Sequence, residues 1–311
     1  MANTAFLFPG QGSQSVGMLS ALAENFGVVE ETFAQASDIV GYDLWQICQQ
    51  GPAEALNRTE VTQPAMLVSG VATWRAWRER GGEVPDCMAG HSLGEYSALV
   101  ASGAMDFTSA VTAVSRRGKF MQDAVPAGTG AMAAVLGLDD EILVGICSQV
   151  ANGRVVSCAN FNAPGQVVIA GHSDAVQLAC ELAREAGARR AIRLPVSVPS
   201  HCELMMPAAE AMSEELAGMD FHAARVDVIQ NADVAAHAEA EAVRDALARQ
   251  LWQPVRWTET IQSLLERGVN RFVECGPGKV LAGLNRRISR ESEIVALTDS
   301  ESLVAALQGG G

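Results

Sequence analysis

The tripeptide Gly-His-Ser occurs twice in this 311-residue sequence, at 90–92 in CMAGHSLGEYSAL and at 171–173 in VIAGHSDAVQLAC. Each copy follows a short apolar run and precedes a helix-like stretch. A serine on a sharp strand-to-helix turn is presented above a sheet edge, where the helix N-terminus offers backbone N–H groups to an oxyanion. The first copy is a full G-x-S-x-G, Gly90-His91-Ser92-Leu93-Gly94, whose glycines allow close approach of neighbouring backbone. The second lacks the second glycine, and its Ser173-Asp174 pair opens the amphipathic stretch AVQLACELAREAG, as a helix N-cap does. Ser92 is therefore the candidate nucleophile, and Ser173 is expected to cap a helix.

A serine hydroxyl needs a base beside it. Of the five histidines, His91 adjoins Ser92 on a turn that points the two side chains apart, and His172 belongs to the second copy. His237 lies in the polar VAAHAEAEA and is expected in solvent, while His222 begins a strand-like segment. His201 remains, in LPVSVPSHCELM between a strand and a long helix, where catalytic groups tend to sit. No carboxylate between Ser92 and His201 sits in a convincing loop, so a dyad oriented by a carbonyl or amide is expected.

Two further features carry chemistry. Along the helical stretch 106–124, Phe107, Val111, Val114, Gly118, Met121 and Val125 form one apolar stripe. At about 100° per residue Arg116 falls opposite this stripe, whereas Arg117 lies only about 60° from its centre. Arg117 is then either a snorkelling or ion-paired arginine, or a fixed guanidinium that grips a carboxylate with two prongs; helix geometry leaves both open. The loop FPGQGSQ (8–14) lacks the third glycine of a dinucleotide fingerprint, and no acidic residue closes a second strand at the right distance. Dinucleotide binding is rejected, although Gln11, between two glycines, can offer a backbone N–H to an oxyanion. A plain tight turn is the other reading of this loop.

The elements that must position these groups alternate between strand-like and helical runs, which indicates a mainly parallel sheet in an α/β fold. Strands are expected at 5–8, 84–89, 225–230 and 271–274, with a long amphipathic helix over 61–80 and helices near 93–102 and 106–124. Between them, 128–198 reads strand 131–137, helix 139–150, strands 155–160 and 166–171, helix 173–187 and strand 189–198. That βαββαβ order is the order of a ferredoxin-like unit, inserted before the alternation resumes. The closing ALQGGG reads as a frayed tail.

Composition narrows the function. The chain is 49% hydrophobic and 19% charged with a net charge of −14, which argues against a general binder of nucleic acid or anionic membrane. No apolar run approaches the ~20 residues of a membrane span, and MANTAFLFPGQG does not read as a signal peptide. Seven scattered cysteines without metal-ligand spacing suit reduced thiols, with neither disulfides nor a metal site expected. A serine hydrolase using water, and a binding scaffold without chemistry, remain as alternatives from other classes.

Taken together, these residues resemble the malonyl-CoA:acyl carrier protein transacylases of bacterial fatty acid synthesis. The resemblance runs in order along nearly the whole chain, through FPGQGSQ, TQPA (62–65), GHSLGEYSAL (90–99), RRG (116–118) and GTGAMAAVLGL (128–138). It continues through NAPGQVVIAG (162–171), VSVPSHC (196–202), QLWQPVRW (250–257) and ECGPGKVL (274–281). It implies a hydrolase-like α/β core over 1–126 and 199–311, with a ferredoxin-like domain over 127–198. Ser92 is then the acyl-carrying nucleophile, His201 its base, and Arg117 the ligand of the malonyl carboxylate. Backbone N–H groups of Gln11 and Leu93 form the oxyanion hole, and the main-chain carbonyl of Gln250 orients His201. Gln63, Asn160 and Asn162 line the pocket. Ser200, just before the base, often accompanies methylmalonyl in related polyketide enzymes, but stand-alone transacylases also carry serine there and use malonyl. The substrates implied are malonyl-CoA and acyl carrier protein in the cytoplasm, with no cofactor and no metal. For docking an acidic carrier, the clusters Arg189, Arg190 and Arg193, or Lys279, Arg286 and Arg287, are the candidates, a solvated face being the alternative for each.

Overall fold

In the computed structural model, which describes residues 3–196 and 198–309, two separate sheets account for the strands. The larger contains β1 (Thr4–Phe8), β2 (Cys87–Gly90), β7 (Asp227–Gln230), β8 (Ala235–Ala236), β9 (Arg271–Cys275) and β10 (Glu293–Leu297), in the order β10-β9-β1-β2-β7-β8. All its pairings are parallel except β7 with β8. Helices cover both faces, so its central strands read as continuous apolar runs. Alternation along β1 shows this directly: Phe6 and Phe8 pack into one core with Val68, Tyr96 and Val111, while Ala5 and Leu7 pack into another with Trp257, Ile261 and Phe272.

The smaller sheet contains β3 (Gly130–Leu136), β4 (Val156–Ala163), β5 (Gln166–His172) and β6 (Arg190–Arg193), antiparallel and ordered β4-β5-β3-β6. With the helices Asp140–Ala151 and Ser173–Glu185 it reproduces the expected βαββαβ order. One face packs on those two helices through Ala133, Val135, Val167 and Ile169. Met132 and Val168 on the other face line the cavity described below.

Register brings the chemistry together. Phe8 pairs with Gly90 and Ala89 with Ile229, so the C-terminal ends of β1, β2 and β7 lie side by side. The PGQG loop, the His91-Ser92 turn and Asn231 therefore emerge at one edge, where open α/β sheets gather functional groups.

Several expectations need correction. The helix Thr59–Glu79 is not amphipathic over its first two-thirds: every residue from Val61 to Thr73 is buried. Its polar side chains satisfy themselves locally, Thr62 Oγ1 donating to Leu56 O, Ser69 Oγ to Ala65 O and Thr73 Oγ1 to Ser69 O. The strand read over 189–198 stops at Arg193; Leu194 makes the last ladder bond to Met132 O, and Pro195 has no N–H to continue it, while Ser197 lies outside the described residues. Ser173 is not a cap but the first helical residue: the N-cap is His172, whose Nδ1 accepts from Val155 N, and Ser173 N donates to Thr129 O. In the closing segment, Ala306–Gln308 belongs to the helix Ser300–Gln308, started by an Asp299–Ser302 capping box; Gly310 and Gly311 lie outside the described residues.

Phe6 is 1% exposed and meets the rings of Trp74 and Trp77 edge-on at 5.4 and 5.2 Å. Phe6→Ala should lower unfolding stability by about 3–5 kcal/mol, read as a shift of the urea midpoint at unchanged slope.

Candidate active site

Ser92 follows β2 in the left-handed region, at φ 51°, and the helix Gly94–Ser102 begins two residues later. The flanking glycines are a steric requirement. A Cβ on Gly90 would lie 1.9 Å from the Gly94 carbonyl carbon, and one on Gly94 would lie 2.0 Å from Phe8 O. G-x-S-x-G is thus the pattern that lets this helix start against β1.

Ser92 Oγ lies 2.8 Å from His201 Nε2, and His201 Nδ1 lies 2.7 Å from the main-chain oxygen of Gln250. A carbonyl only accepts, so Nδ1 carries the proton and Nε2 is free to accept from the serine hydroxyl. Burial, reinforced by the nearby Arg117 charge, pushes His201 down to about 3, so the imidazole is neutral, with Nε2 unprotonated, across the physiological range. His201 too has left-handed backbone, at φ 62°, with its N–H donating to Leu251 O.

Arg117 is 2% exposed on the helix Phe107–Asp123, whereas Arg116 is exposed as its position on the helix requires. Its Nη1 donates to Gln63 Oε1 and its Nη2 to Gln250 Oε1, each at 2.9 Å, and Nη2 lies 3.5 Å from Ser92 Oγ. The snorkelling and ion-paired readings fall away: the guanidinium is enclosed, held by neutral amides, and its Nε has no partner. Gln250 serves three members at once, since its Nε2 also donates to Ser92 O at 3.0 Å.

A cavity of about 230 Å³ opens over these groups, walled by Gln11, Leu93, Arg117, Met121, Asn160, Asn162 and Ser200 among others. Gln11 and Leu93 line it together with Ser92. Asn160 and Asn162 reach it from β4, whose pairing with β5 slips beside both, and Asn162 Oδ1 lies 2.8 Å from His91 Nε2. Such bulges re-aim side chains next to active sites. Gln63 departs from expectation: it is buried behind Arg117 and braces it, with Nε2 on Met121 Sδ at 3.3 Å, and does not form the wall. His237 is likewise not free in solvent, since its Nε2 meets Asp233 Oδ2 at 3.0 Å. His222 is paired at 3.6 Å with Asp106 on the surface.

Two groups at the site went unread in the sequence. Asn231 Oδ1 accepts from Ser92 N at 2.7 Å, and Glu95 Oε2 accepts from Asn231 N at 2.8 Å. A polar Gln230-Asn231 pair at the C-terminal end of an apolar strand is the signal that marks them. No group of His, Cys, Asp and Glu suited to a metal occurs among the described residues.

The arrangement is that of a serine nucleophile with a neutral base and a buried cation beside it, suited to acyl transfer from or to a carboxylate-bearing group. The family model described as acyl transferase domain matches residues 5–307. The chain belongs to the acyl transferase family. Among relatives, the malonyl CoA-acyl carrier protein transacylase of Salmonella typhimurium is 55% identical, covering 99% of both chains. That of Bacillus subtilis is 46% identical over 99% of this chain and 97% of its own. The Coxiella burnetii transacylase structure superposes at TM-score 0.98, with 50% identity over 99% of this chain and 97% of that one. A malonyl-transacylase solved in complex with a type II PKS acyl-carrier protein also reaches TM-score 0.98, with 53% identity over 99% of this chain and all of that one.

In this acyl transferase site the depressed histidine leaves a mark on stability. Between pH 6.5 and about 3 the unfolded chain binds a proton on His201 that the fold excludes, so acid favours unfolding. His201→Asn should reduce the loss of stability between pH 7 and pH 5 by on the order of 1–2 kcal/mol, measured by denaturant titration at both pH values.

Proposed function

We propose that this acyltransferase moves the malonyl group from malonyl-CoA to the phosphopantetheine thiol of an acyl carrier protein, through a malonyl ester on Ser92. The single observation that carries this is the enclosed Arg117, without a carboxylate partner and 3.5 Å from the nucleophile. A desolvated guanidinium held only by amides keeps donors for a carboxylate, and leaving it unpaired is costly.

In the first half-reaction Ser92 Oγ attacks the thioester carbonyl while its proton passes to His201 Nε2. The oxyanion forms against the backbone N–H groups of Gln11 and Leu93. Collapse breaks the carbon–sulfur bond, and His201 returns the proton to the departing coenzyme A thiol. In the second half the carrier thiol gives its proton to His201, attacks the ester carbonyl and releases Ser92, which regains the proton. Arg117 holds the distal carboxylate throughout. Gln250 keeps the imidazole tautomer through its carbonyl and aligns Arg117 through its side chain. The coenzyme A thioester is a substrate, and the chemistry calls for no cofactor.

We place the reaction in fatty acid synthesis in the cytoplasm. Seven free buried cysteines suit a reducing compartment, and no helix among the described residues is long and apolar enough to cross a membrane. The likeness to the transacylase of the type II PKS carrier complex supports a second reading, the same transfer onto a polyketide carrier. The clusters at Arg189, Arg190 and Arg193 and at Lys279, Arg286 and Arg287 are exposed, as docking of an acidic carrier requires.

Brief incubation with malonyl-CoA should add one malonyl group at Ser92, seen by intact and peptide mass spectrometry, and added holo-carrier should discharge it. An adduct that decays equally fast without carrier would mean a hydrolase instead. Arg117→Ala should slow malonyl loading ~10- to 100-fold while leaving acetyl loading unchanged or faster, measured as single-turnover acylation.

A further inference from the structure

Glu95 lies one turn beyond the nucleophile, 0% exposed, and among the described residues no cation forms an ion pair with it. A buried carboxylate without an ion pair is costly to keep unless its hydrogen bonds do something. Here they are specific. Oε1 accepts from Gln230 Nε2 at 3.0 Å and Oε2 from Asn231 N at 2.8 Å. With its backbone fixed in this way, Asn231 uses both ends of its side-chain amide on the turn that carries Ser92. Oδ1 accepts from Ser92 N and Nδ2 donates to Gly90 O, both at 2.7 Å. The turn that begins at Asn231 also holds Val234 at φ 57°, a strained backbone for a β-branched residue, so that segment is held in place against its local preference. On the opposite side, Gln250 Nε2 donates to Ser92 O. Both main-chain polar atoms of the nucleophile are thus gripped by side chains.

We infer that Glu95 is a positioning residue for acyl transfer, acting through Asn231 to hold Ser92 in its left-handed backbone with Oγ on the base. The carboxylate that serine hydrolases hang on the histidine here holds Asn231, which in turn holds the nucleophile's backbone N–H. This inference rests on the acyl-transfer reading of Ser92.

The groups facing Glu95 are Gln230 and Asn231 at the end of β7, Arg117 from Phe107–Asp123, Gln250 from Ala240–Gln250, and Tyr96 on its own helix. Burial raises Glu95 to about 7 against the pull of the Gln230, Asn231 and Gln250 hydrogen bonds and of the Arg117 charge. Only the ionised carboxylate has both oxygens fully open to the two donors. As pH falls through about 7, protonation therefore loosens the grip on Asn231, while His201 stays neutral and contributes nothing in this range. The effect on stability runs the other way. A raised carboxyl holds its proton in the fold more tightly than in the unfolded chain, so stability attributable to Glu95 is lost as pH rises from 4.5 through about 7.

The test is rapid-quench malonylation of Ser92 from pH 5.5 to 8.5 in wild type, Glu95→Gln, Glu95→Ala, Asn231→Ala and the Glu95→Ala/Asn231→Ala double variant, each checked for a cooperative melt. At pH 8 Glu95→Ala and Asn231→Ala should each slow acylation ~10- to 100-fold, with half-saturating malonyl-CoA within about threefold of wild type. The double variant should be no slower than the worse single. Glu95→Gln keeps one acceptor and should stay within about fivefold, lose the wild-type acid limb near pH 7, and melt no lower than wild type at pH 8. Multiplying losses in the double variant, or an acid limb near pH 7 that survives in Glu95→Gln, would overturn the inference. Failure of the wild type itself to load malonyl on Ser92 would overturn the acyl-transfer reading instead.

Discussion

The active site depends on one close approach of backbone to backbone. The helix Gly94–Ser102 starts so near the end of β1 that a methyl group at position 94 would sit 2.0 Å from Phe8 O. This proximity turns the chain sharply at Ser92, forces its φ to 51°, and aims the side chain over the edge where three parallel strands end. A left-handed backbone costs a residue with a side chain on the order of 1 kcal/mol or more, and it persists only where surroundings over-determine it. Here they do: Asn231 holds the serine N–H, and the Gln250 amide holds its carbonyl. His201 shares the same unusual backbone region and is fixed through Leu251 and Gln250. Nucleophile and base thus meet at 2.8 Å because both of their backbones are pinned from outside.

The electrostatics follow from a choice of amides over carboxylates. A carboxylate beside His201 would favour the imidazolium, and one paired with Arg117 would compete with any anionic group entering the cavity. Instead a main-chain oxygen faces the histidine, and Gln63 and Gln250 face the arginine. The cation is therefore oriented without being neutralised, and its field adds to burial in keeping the base deprotonated. The carboxyl that remains nearby, Glu95, accepts from the Gln230 side-chain amide and the Asn231 backbone N–H rather than from the cation.

Much of this was legible in the sequence, for physical reasons that vary by residue. Ser92 was readable because steric exclusion at positions 90 and 94 leaves only glycine. Arg117 was readable as a cation close to an apolar stripe, but helix geometry alone could not tell an enclosed side chain from a snorkelling one; that depends on what packs above it. Gln63, a pocket-lining residue by the family resemblance, is instead enclosed by its own buried helix and by Arg117. Thr62, Ser69 and Thr73 donate to carbonyls close by in the chain, so the run Val61–Thr73 can be buried and Gln63 braces from behind. β10 escaped notice because its apolar run EIVAL is half-buried at a sheet edge between polar residues. The polar Gln230-Asn231 pair at a strand end marks a position of interest, but the roles of Asn231 and Glu95 are set by contacts across 136 and more positions of chain, which that local pattern does not encode.

Gln250 ties three members of the site together. Its carbonyl sets the base, its side-chain oxygen aligns the cation, and its side-chain nitrogen holds the nucleophile's backbone. Three functions meeting in one residue make the site strongly epistatic. Replacing Arg117 removes one of these contacts and leaves the other two, whereas replacing Gln250 loosens the cation and the nucleophile's backbone together. A route to altered acyl choice therefore runs through Arg117 with Gln250 kept, because a change at Gln250 made first disturbs cation and nucleophile at once.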